Sequence, residues 1–133
     1  MARSRGAACS VAEARIRLTH AEQYLAVAEL AFSPEGGPET TVATGNAVLA
    51  GVAAADAICC ALAGKRHRGA DHREAAEFLG MVTGDRGLAR SLRELIDFKD
   101  AAHYGLENVK AQRARAAIRR ARSLVAVARD KVK

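Results

Sequence analysis

A lysine and a histidine one helical turn apart are the residues of this sequence best suited to chemistry. Lys99 and His103 lie in the segment 97–105 and follow the apolar positions of a helical pattern, so both side chains should face a neighbouring helix or a cleft. At neutral pH an imidazole can transfer a proton and an ammonium group can hold a phosphate. The pattern therefore indicates phosphate chemistry. A structural histidine near a helix end, with Lys99 directed to solvent, has the same spacing.

Asp56 is a second candidate because it interrupts an otherwise apolar helical segment. A carboxylate without water or a partner is costly inside a protein. We therefore expect Asp56 to pair with His103 or Lys99, where it would fix the imidazole tautomer or neutralise the lysine. A third possibility is a small-ligand site in the bundle centre, around Asp56 and Asn46.

The positive charge of the chain is concentrated near its end. The net charge is +6, and residues 107–133 contain nine lysines and arginines against two acidic residues. A basic helix favours a polyanion such as RNA, bound in a salt-sensitive and sequence-tolerant way, although a solvated surface helix has the same composition. The candidate nucleic-acid contacts are Arg113, Arg115, Arg119, Arg120 and Arg122.

The remaining histidines and the cysteines predict no metal and no cofactor. His67 and His72, with Asp71, flank a glycine loop at a spacing that matches no established ligand set, so a solvated basic loop is expected there. The three cysteines, at positions 9, 59 and 60, have neither a disulfide nor a metal spacing and are interpreted as buried thiols in a reducing compartment.

Apolar periodicity and capping residues predict five helices and no strands. The first begins at a capping box formed by Ser10 and Glu13, and the second is apolar nearly all round, which is typical of a central helix. The fold class is therefore all-α, an antiparallel bundle of four long helices and one short helix in a single domain over residues 1–133, with residues 1–9 disordered. The five helices span residues 10–32, 39–63, 71–82, 85–104 and 107–132.

No segment predicts membrane insertion or secretion. The longest apolar run, residues 47–63, is interrupted by Asp56 and is shorter than the roughly 20 residues that a membrane span needs. Charged residues follow the N-terminus where a signal peptide would have its apolar core. We therefore expect a cytoplasmic protein without a membrane partner.

Three segments carry a resemblance to a known family. They are Lys-Asp-Ala-Ala-His-Tyr-Gly at 99–105, Ala-Ala-Asp-Ala-Ile-Cys-Cys at 54–60 and His-Arg-Gly-Ala-Asp-His-Arg-Glu-Ala at 67–75. Together they resemble small bacterial HEPN proteins over most of the chain. The resemblance implies a helical bundle that is often dimeric. The family includes metal-independent ribonucleases. Their signature is an arginine, four to six residues and a histidine, and the two sites meet at the dimer interface.

On that signature His103 takes the position of the family histidine and Asp100 that of the intervening polar residue, with Asp56 and Tyr104 in support. The arginine is absent, because Phe98, Asp97 and Ile96 occupy its permitted positions, and the nearest cation is Lys99. Lysine lacks the planar fork with which arginine grips a phosphate.

The resemblance implies a homodimer that binds RNA or a nucleotide. If it cleaves RNA, His103 would take the proton of the ribose 2′-OH and Lys99 would steady the phosphate. The rival hypothesis is a non-catalytic helical dimer that binds a protein, such as a nucleotidyltransferase in a toxin-antitoxin-type pair.

Overall fold

The structure, a computed structural model, describes residues 6–69 and 71–133. The described chain is mostly helical, which confirms the all-α prediction, and it adds one small antiparallel sheet that the sequence did not predict. The elements are β1 (Gly6–Ala8), α1 (Val11–Ala31), α2 (Pro38–Ala63), β2 (Lys65–His67), α3 (His72–Thr83), α4 (Arg86–Ile96), α5 (Lys99–Tyr104) and α6 (Ala111–Lys131).

The first helix begins as its sequence predicts. The backbone N–H of Ser10 donates to Glu13 Oε1 at 2.9 Å, and the backbone N–H of Glu13 donates to Ser10 Oγ at 3.0 Å. This reciprocal capping box satisfies two backbone donors that the first turn of a helix would otherwise leave unpaired. It fixes the point at which the chain turns from β1 into α1.

Helix α2 is the centre of the fold, as its uniform apolarity predicts. It contacts α1, α6, α3, α4 and α5, and 15 of its 26 residues are buried. By length and composition alone α2 could cross a membrane, but 61% of its apolar window is buried inside the protein, as in the core helix of a soluble protein. The buried side chains are mostly alanine, which allows neighbouring helices to approach closely.

The predicted fourth helix, 85–104, is two helices in the structure. Helix α4 ends at Ile96 and α5 begins at Lys99. At the junction the N–H of Phe98 donates to the carbonyl of Leu95, three residues back rather than four, which tightens the backbone and redirects the chain. The prediction of four long helices and one short helix was therefore wrong in this detail, since α1, α2 and α6 are long and α3, α4 and α5 are shorter.

The N-terminal segment is tied to the end of α2. Strand β1 pairs antiparallel with β2, with Ala7 opposite Arg66, and Cys9 forms a disulfide with Cys60. The predicted disorder of residues 1–9 was therefore wrong for residues 6–9, and residues 1–5 lie outside the described part of the chain. The interpretation of all three cysteines as thiols was wrong as well. Disulfides are typical of oxidising compartments, so the cytoplasmic location stays a prediction without support from the cysteines.

Replacing Gly51 with alanine should destabilise the protein because α2 has no room there. A Cβ at position 51 would overlap the side chain of Leu95 in α4 and would lie 3.2 Å from Leu124 Cδ1 in α6. Overpacking of this kind costs about 1–3 kcal/mol, more than alanine gains over glycine in a helix. Urea unfolding of Gly51→Ala should show that loss, whereas Gly87→Ala, which meets only the side chain of Asp85 at 3.3 Å, should leave stability unchanged or slightly higher.

The disulfide should contribute measurably to stability. Cys9 and Cys60 are 51 residues apart, and closing a loop of that length in the unfolded chain stabilises the fold by about 2–4 kcal/mol. Cys9→Ser should lower the free energy of unfolding by that amount, and a reductant should lower it in the wild type only. A wild-type transition that does not respond to reductant would mean that these cysteines are not paired in the purified protein.

Candidate functional site

The ring of His103 lies against the backbone of α2. A Cβ added at Gly45 would come within 3.0 Å of His103 Cε1 and 3.2 Å of Nε2, so glycine permits this approach. His103 is nevertheless exposed. An imidazole that is seated on a rigid helix and open to solvent can exchange a proton with a bound ligand.

The other candidates on α5 lie close to His103 in the chain and are accessible to different degrees. Asp100 is exposed, Lys99 is partly exposed, and Tyr104 is 72% exposed. The rings of His103 and Tyr104 are 6.2 Å apart, centroid to centroid, and tilted by 50°. The structure therefore places these four residues on one short helix, rather than at the end of the long helix that the sequence predicts.

An open cleft of about 610 Å³ lies beside α5, where the chain turns into α6. Its lining includes Phe98, Lys110 and Arg113. The guanidinium carbon of Arg113 lies 5.0 Å from the centroid of the Phe98 ring, within the range of a cation–π contact. The cleft thus has two cations and one carboxylate, that of Glu107, and Arg113 stacks on the residue that immediately precedes α5.

The other arginines of α6 lie along contacts with α1 and α4. Arg115 stacks over Phe32 at 5.2 Å, and Arg119 is exposed. Arg120 pairs with Glu94 at 2.9 Å, and Arg122 pairs with Glu29 at 2.6 Å. Part of the basic charge of α6 is therefore offset by acidic residues of the neighbouring helices, which the local count of charges did not reveal.

Asp56 does not pair with His103 or Lys99, so that prediction was wrong. Its Oδ2 accepts two hydrogen bonds from Arg17 of α1, from Nε at 3.0 Å and from an Nη at 2.9 Å. Gly45, which marks the position of His103, is 11 positions before Asp56 on α2, roughly 16 Å along the helix axis.

The expected ligand site around Asp56 and Asn46 is not formed either. These residues are 10 positions apart on α2, roughly 15 Å along the helix axis. The side-chain amide of Asn46 donates to the carbonyl of Val42 in its own helix at 3.0 Å. Asn46 therefore satisfies its polarity locally and does not face the surroundings of Asp56.

Burial shapes the ionisation of the groups around Asp56. Burial raises the pKa of Asp56 above its ordinary value, against the opposing effect of the Arg17 charge and hydrogen bonds. Burial, with the Asp56 charge as a smaller cause, also raises the pKa of the free thiol of Cys59 to about 12. Cys59 is therefore protonated and a poor nucleophile, although it neighbours the disulfide of Cys60.

His67 is not in a solvated loop, contrary to the sequence-based interpretation. It ends β2, its side chain is 10% exposed, and its Nε2 lies 3.6 Å from Glu74 Oε1. The side chain of His72 lies outside the described part of the structure. Within that part, no three His, Cys, Asp or Glu side chains come together as a metal site would require.

The chain matches no protein-family model and no curated protein. The function is therefore inferred from the arrangement of residues at the site. Around α5 it offers an accessible imidazole, a lysine in the same short helix, and a cleft with an arginine and a second lysine. Such a set can hold a phosphate and move a proton.

Arg17→Met should destabilise the protein in a pH-dependent way. It removes the hydrogen bonds to a carboxylate that is 13% exposed, and an unsatisfied buried group of this kind costs about 1–3 kcal/mol. The pKa of Asp56 is already raised in the folded state, and losing Arg17 raises it further. The stability that depends on a protonated Asp56 is therefore retained below the unfolded pKa of this carboxyl, 3.8, and is lost as the pH rises through its folded pKa.

Urea unfolding at acidic and neutral pH checks this prediction. The loss caused by Arg17→Met should be large at neutral pH and small in acid, and it should shrink at neutral pH when Asp56 is replaced by asparagine. An equal loss at both pH values would mean that Arg17 acts through packing rather than through its charge.

Proposed function

We propose that this protein is a HEPN-like helical bundle that binds RNA or a nucleotide at α5 and the cleft beside it, with His103 as the catalytic residue of a metal-independent ribonuclease. Lys99 and Asp100 complete the site on α5, and Tyr104 lies beside it. We further propose that the protein is a homodimer, that it is located in the cytoplasm and that RNA is its partner there.

The position of Arg113 is the observation that favours this function most. The family signature has an arginine at one of the positions occupied here by Phe98, Asp97 and Ile96. The structure has no arginine in that segment, but it stacks the guanidinium of Arg113 on the ring of Phe98. We assign to Arg113, a residue of α6, the role of the planar cation that the local sequence lacks, because arginine binds phosphate through two parallel hydrogen bonds.

The seat of His103 on Gly45 favours proton transfer by this residue. In cleavage, the imidazole accepts the proton of the ribose 2′-OH as that oxygen bonds to the adjacent phosphorus. The bond between phosphorus and the 5′-oxygen breaks, which leaves a 2′,3′-cyclic phosphate and a 5′-hydroxyl once the leaving oxygen is protonated. Lys99 and Arg113 offset the charge on the phosphate oxygens, and no step needs a metal ion.

His103→Ala should abolish cleavage and retain binding. Wild type and variant are incubated with a mixed-sequence RNA in EDTA across a salt series, and both fragments and binding are followed. Because a general base contributes about 100-fold or more to rate, the variant should lose cleavage by at least that factor while its affinity changes little. Intact RNA with the wild type at every salt concentration would overturn the ribonuclease proposal.

Arg113→Gln and Arg115→Gln form a matched pair for the same assay. Both arginines belong to α6 and both stack on a phenylalanine, at 5.0 and 5.2 Å, but only Arg113 lines the cleft beside α5. Arg113→Gln should weaken binding and reduce the salt dependence, whereas Arg115→Gln should change both little. Equal effects of the two substitutions would point to the general charge of α6 rather than to the cleft.

The second candidate is the non-catalytic dimer that binds a protein partner such as a nucleotidyltransferase. Exposed apolar side chains around α5 favour it, because Leu106 is fully exposed and Tyr104 is 72% exposed. Such side chains lie commonly at protein interfaces. Two results together would replace the first candidate with this one. RNA stays intact with the wild type, and light scattering shows a wild-type dimer that the Leu106→Ser substitution dissociates.

A further inference from the structure

A second cavity lies at the other end of α2, away from His103. It has a volume of about 300 Å³, is partly open to solvent, and is lined by residues of α1, α2, β2, α3, α4 and the loop after β2. Val52, Phe78 and Leu92 give it an apolar wall. Arg17, Asp56 and His67 belong to its polar wall, together with Arg66 and Arg68.

The charges of this cavity do not balance. Three guanidinium groups, of Arg17, Arg66 and Arg68, line it with a single carboxylate, that of Asp56. The ion pair with Arg17 uses that carboxylate. Within the described part of the chain, neither Arg66 nor Arg68 lies within ion-pair distance of an acidic side chain. The positive charge of Arg66 also acts to lower the pKa of Asp56, so one carboxylate faces three guanidinium groups and the cavity keeps an excess of positive charge.

A buried nitrogen in the same wall also makes no hydrogen bond. The side chain of His67 is 10% exposed, and its Nε2 lies 3.6 Å from Glu74 Oε1, an ion-pair contact that is too long for a hydrogen bond. Nearly all buried polar atoms in proteins are hydrogen-bonded, and an exception indicates a bound molecule or a functional role. His67 supplies this indication independently of the arginines.

Strand pairing and the disulfide hold this wall in place. Arg66 lies opposite Ala7 in the β1–β2 pair, and Cys9 and Cys60 line an adjoining cavity that shares Arg17, Asp56 and Arg66 with the first. Arg66 and His67 are thus positioned by a sheet rather than by a free loop. A preorganised cation is a better anion ligand than a mobile one, because less conformational entropy is lost on binding.

We propose that this cavity binds a small organic anion, a phosphate ester or a carboxylate on an apolar body, with Arg66 and Arg68 on the oxyanion, His67 beside it, and Phe78 and Leu92 against the body. Arginine and histidine N–H groups donate to oxyanion oxygens, and the apolar wall buries the rest of the ligand. This site is separate from the one on α5, so it stands or falls independently of the ribonuclease proposal.

Phenyl phosphate is the test ligand, with benzoate as the carboxylate alternative. Inorganic phosphate has the charge without the apolar body, and phenol has the body without the charge. Calorimetric titration of the wild type should show saturable binding of phenyl phosphate or of benzoate, and the tighter of the two identifies the oxyanion. Both inorganic phosphate and phenol should bind more weakly. No binding of either aromatic anion would overturn the proposal.

The double variant Arg66→Gln/Arg68→Gln should bind the preferred anion about tenfold more weakly or worse, since each charged hydrogen bond contributes appreciably to affinity. The matched control is Arg86→Gln/Arg90→Gln, which removes two arginines from a shallow cleft between α3 and α4 and should bind as the wild type does. An equal loss in both double variants would reduce the effect to net charge and overturn the proposal.

A second measurement does not depend on the stability of the variants. In the wild type, the preferred anion should shift the backbone amide NMR signals of Arg66, His67 and Gly69 and leave those of α5 unchanged. Shifts confined to α5 or α6 would assign the anion to another surface and overturn the proposal.

Discussion

The close packing of α2 against its neighbours is the constraint on which the rest of the structure depends. Its buried face consists largely of alanine and glycine, and the absence of a side chain at Gly51 lets Leu95 of α4 and Leu124 of α6 reach the helix backbone. Because proteins pack to crystal-like density, a helix of small residues requires neighbours that lie close to it. Helices α1, α4 and α6 are therefore fixed relative to one axis.

That axis also separates the two polar regions of the molecule. Near the start of α2, the ring of His103 lies against Gly45. Closer to its end, Asp56 pairs with Arg17 and lines the cavity that also includes Arg66 and His67. In each region, a neighbouring element contacts α2 at a point where the apolar surface of that helix is interrupted. In the first the interruption is the missing side chain of a glycine, and in the second it is a buried carboxylate.

The distribution of charge follows from how α6 packs. Three of its arginines form ion pairs with neighbouring helices, with Glu22 and Glu29 of α1 and with Glu94 of α4. Exposed ion pairs of this kind contribute little stability individually. Their consequence for charge is that the carboxylates of the neighbouring helices offset the charge of these three arginines.

The sequence by itself determined the helical class, the capping box at Ser10, the central position of α2 and the grouping of Lys99, Asp100 and His103. These features depend on residues close together in the chain, and helical periodicity and capping are local. The break between α4 and α5, the β1–β2 pair with its disulfide, the Arg17–Asp56 pair and the stacking of Arg113 on Phe98 were decided by the tertiary structure. Each joins residues that the sequence keeps apart or depends on how a neighbouring helix packs, and neither spacing nor composition specifies which distant side chain satisfies a buried charge or an exposed ring.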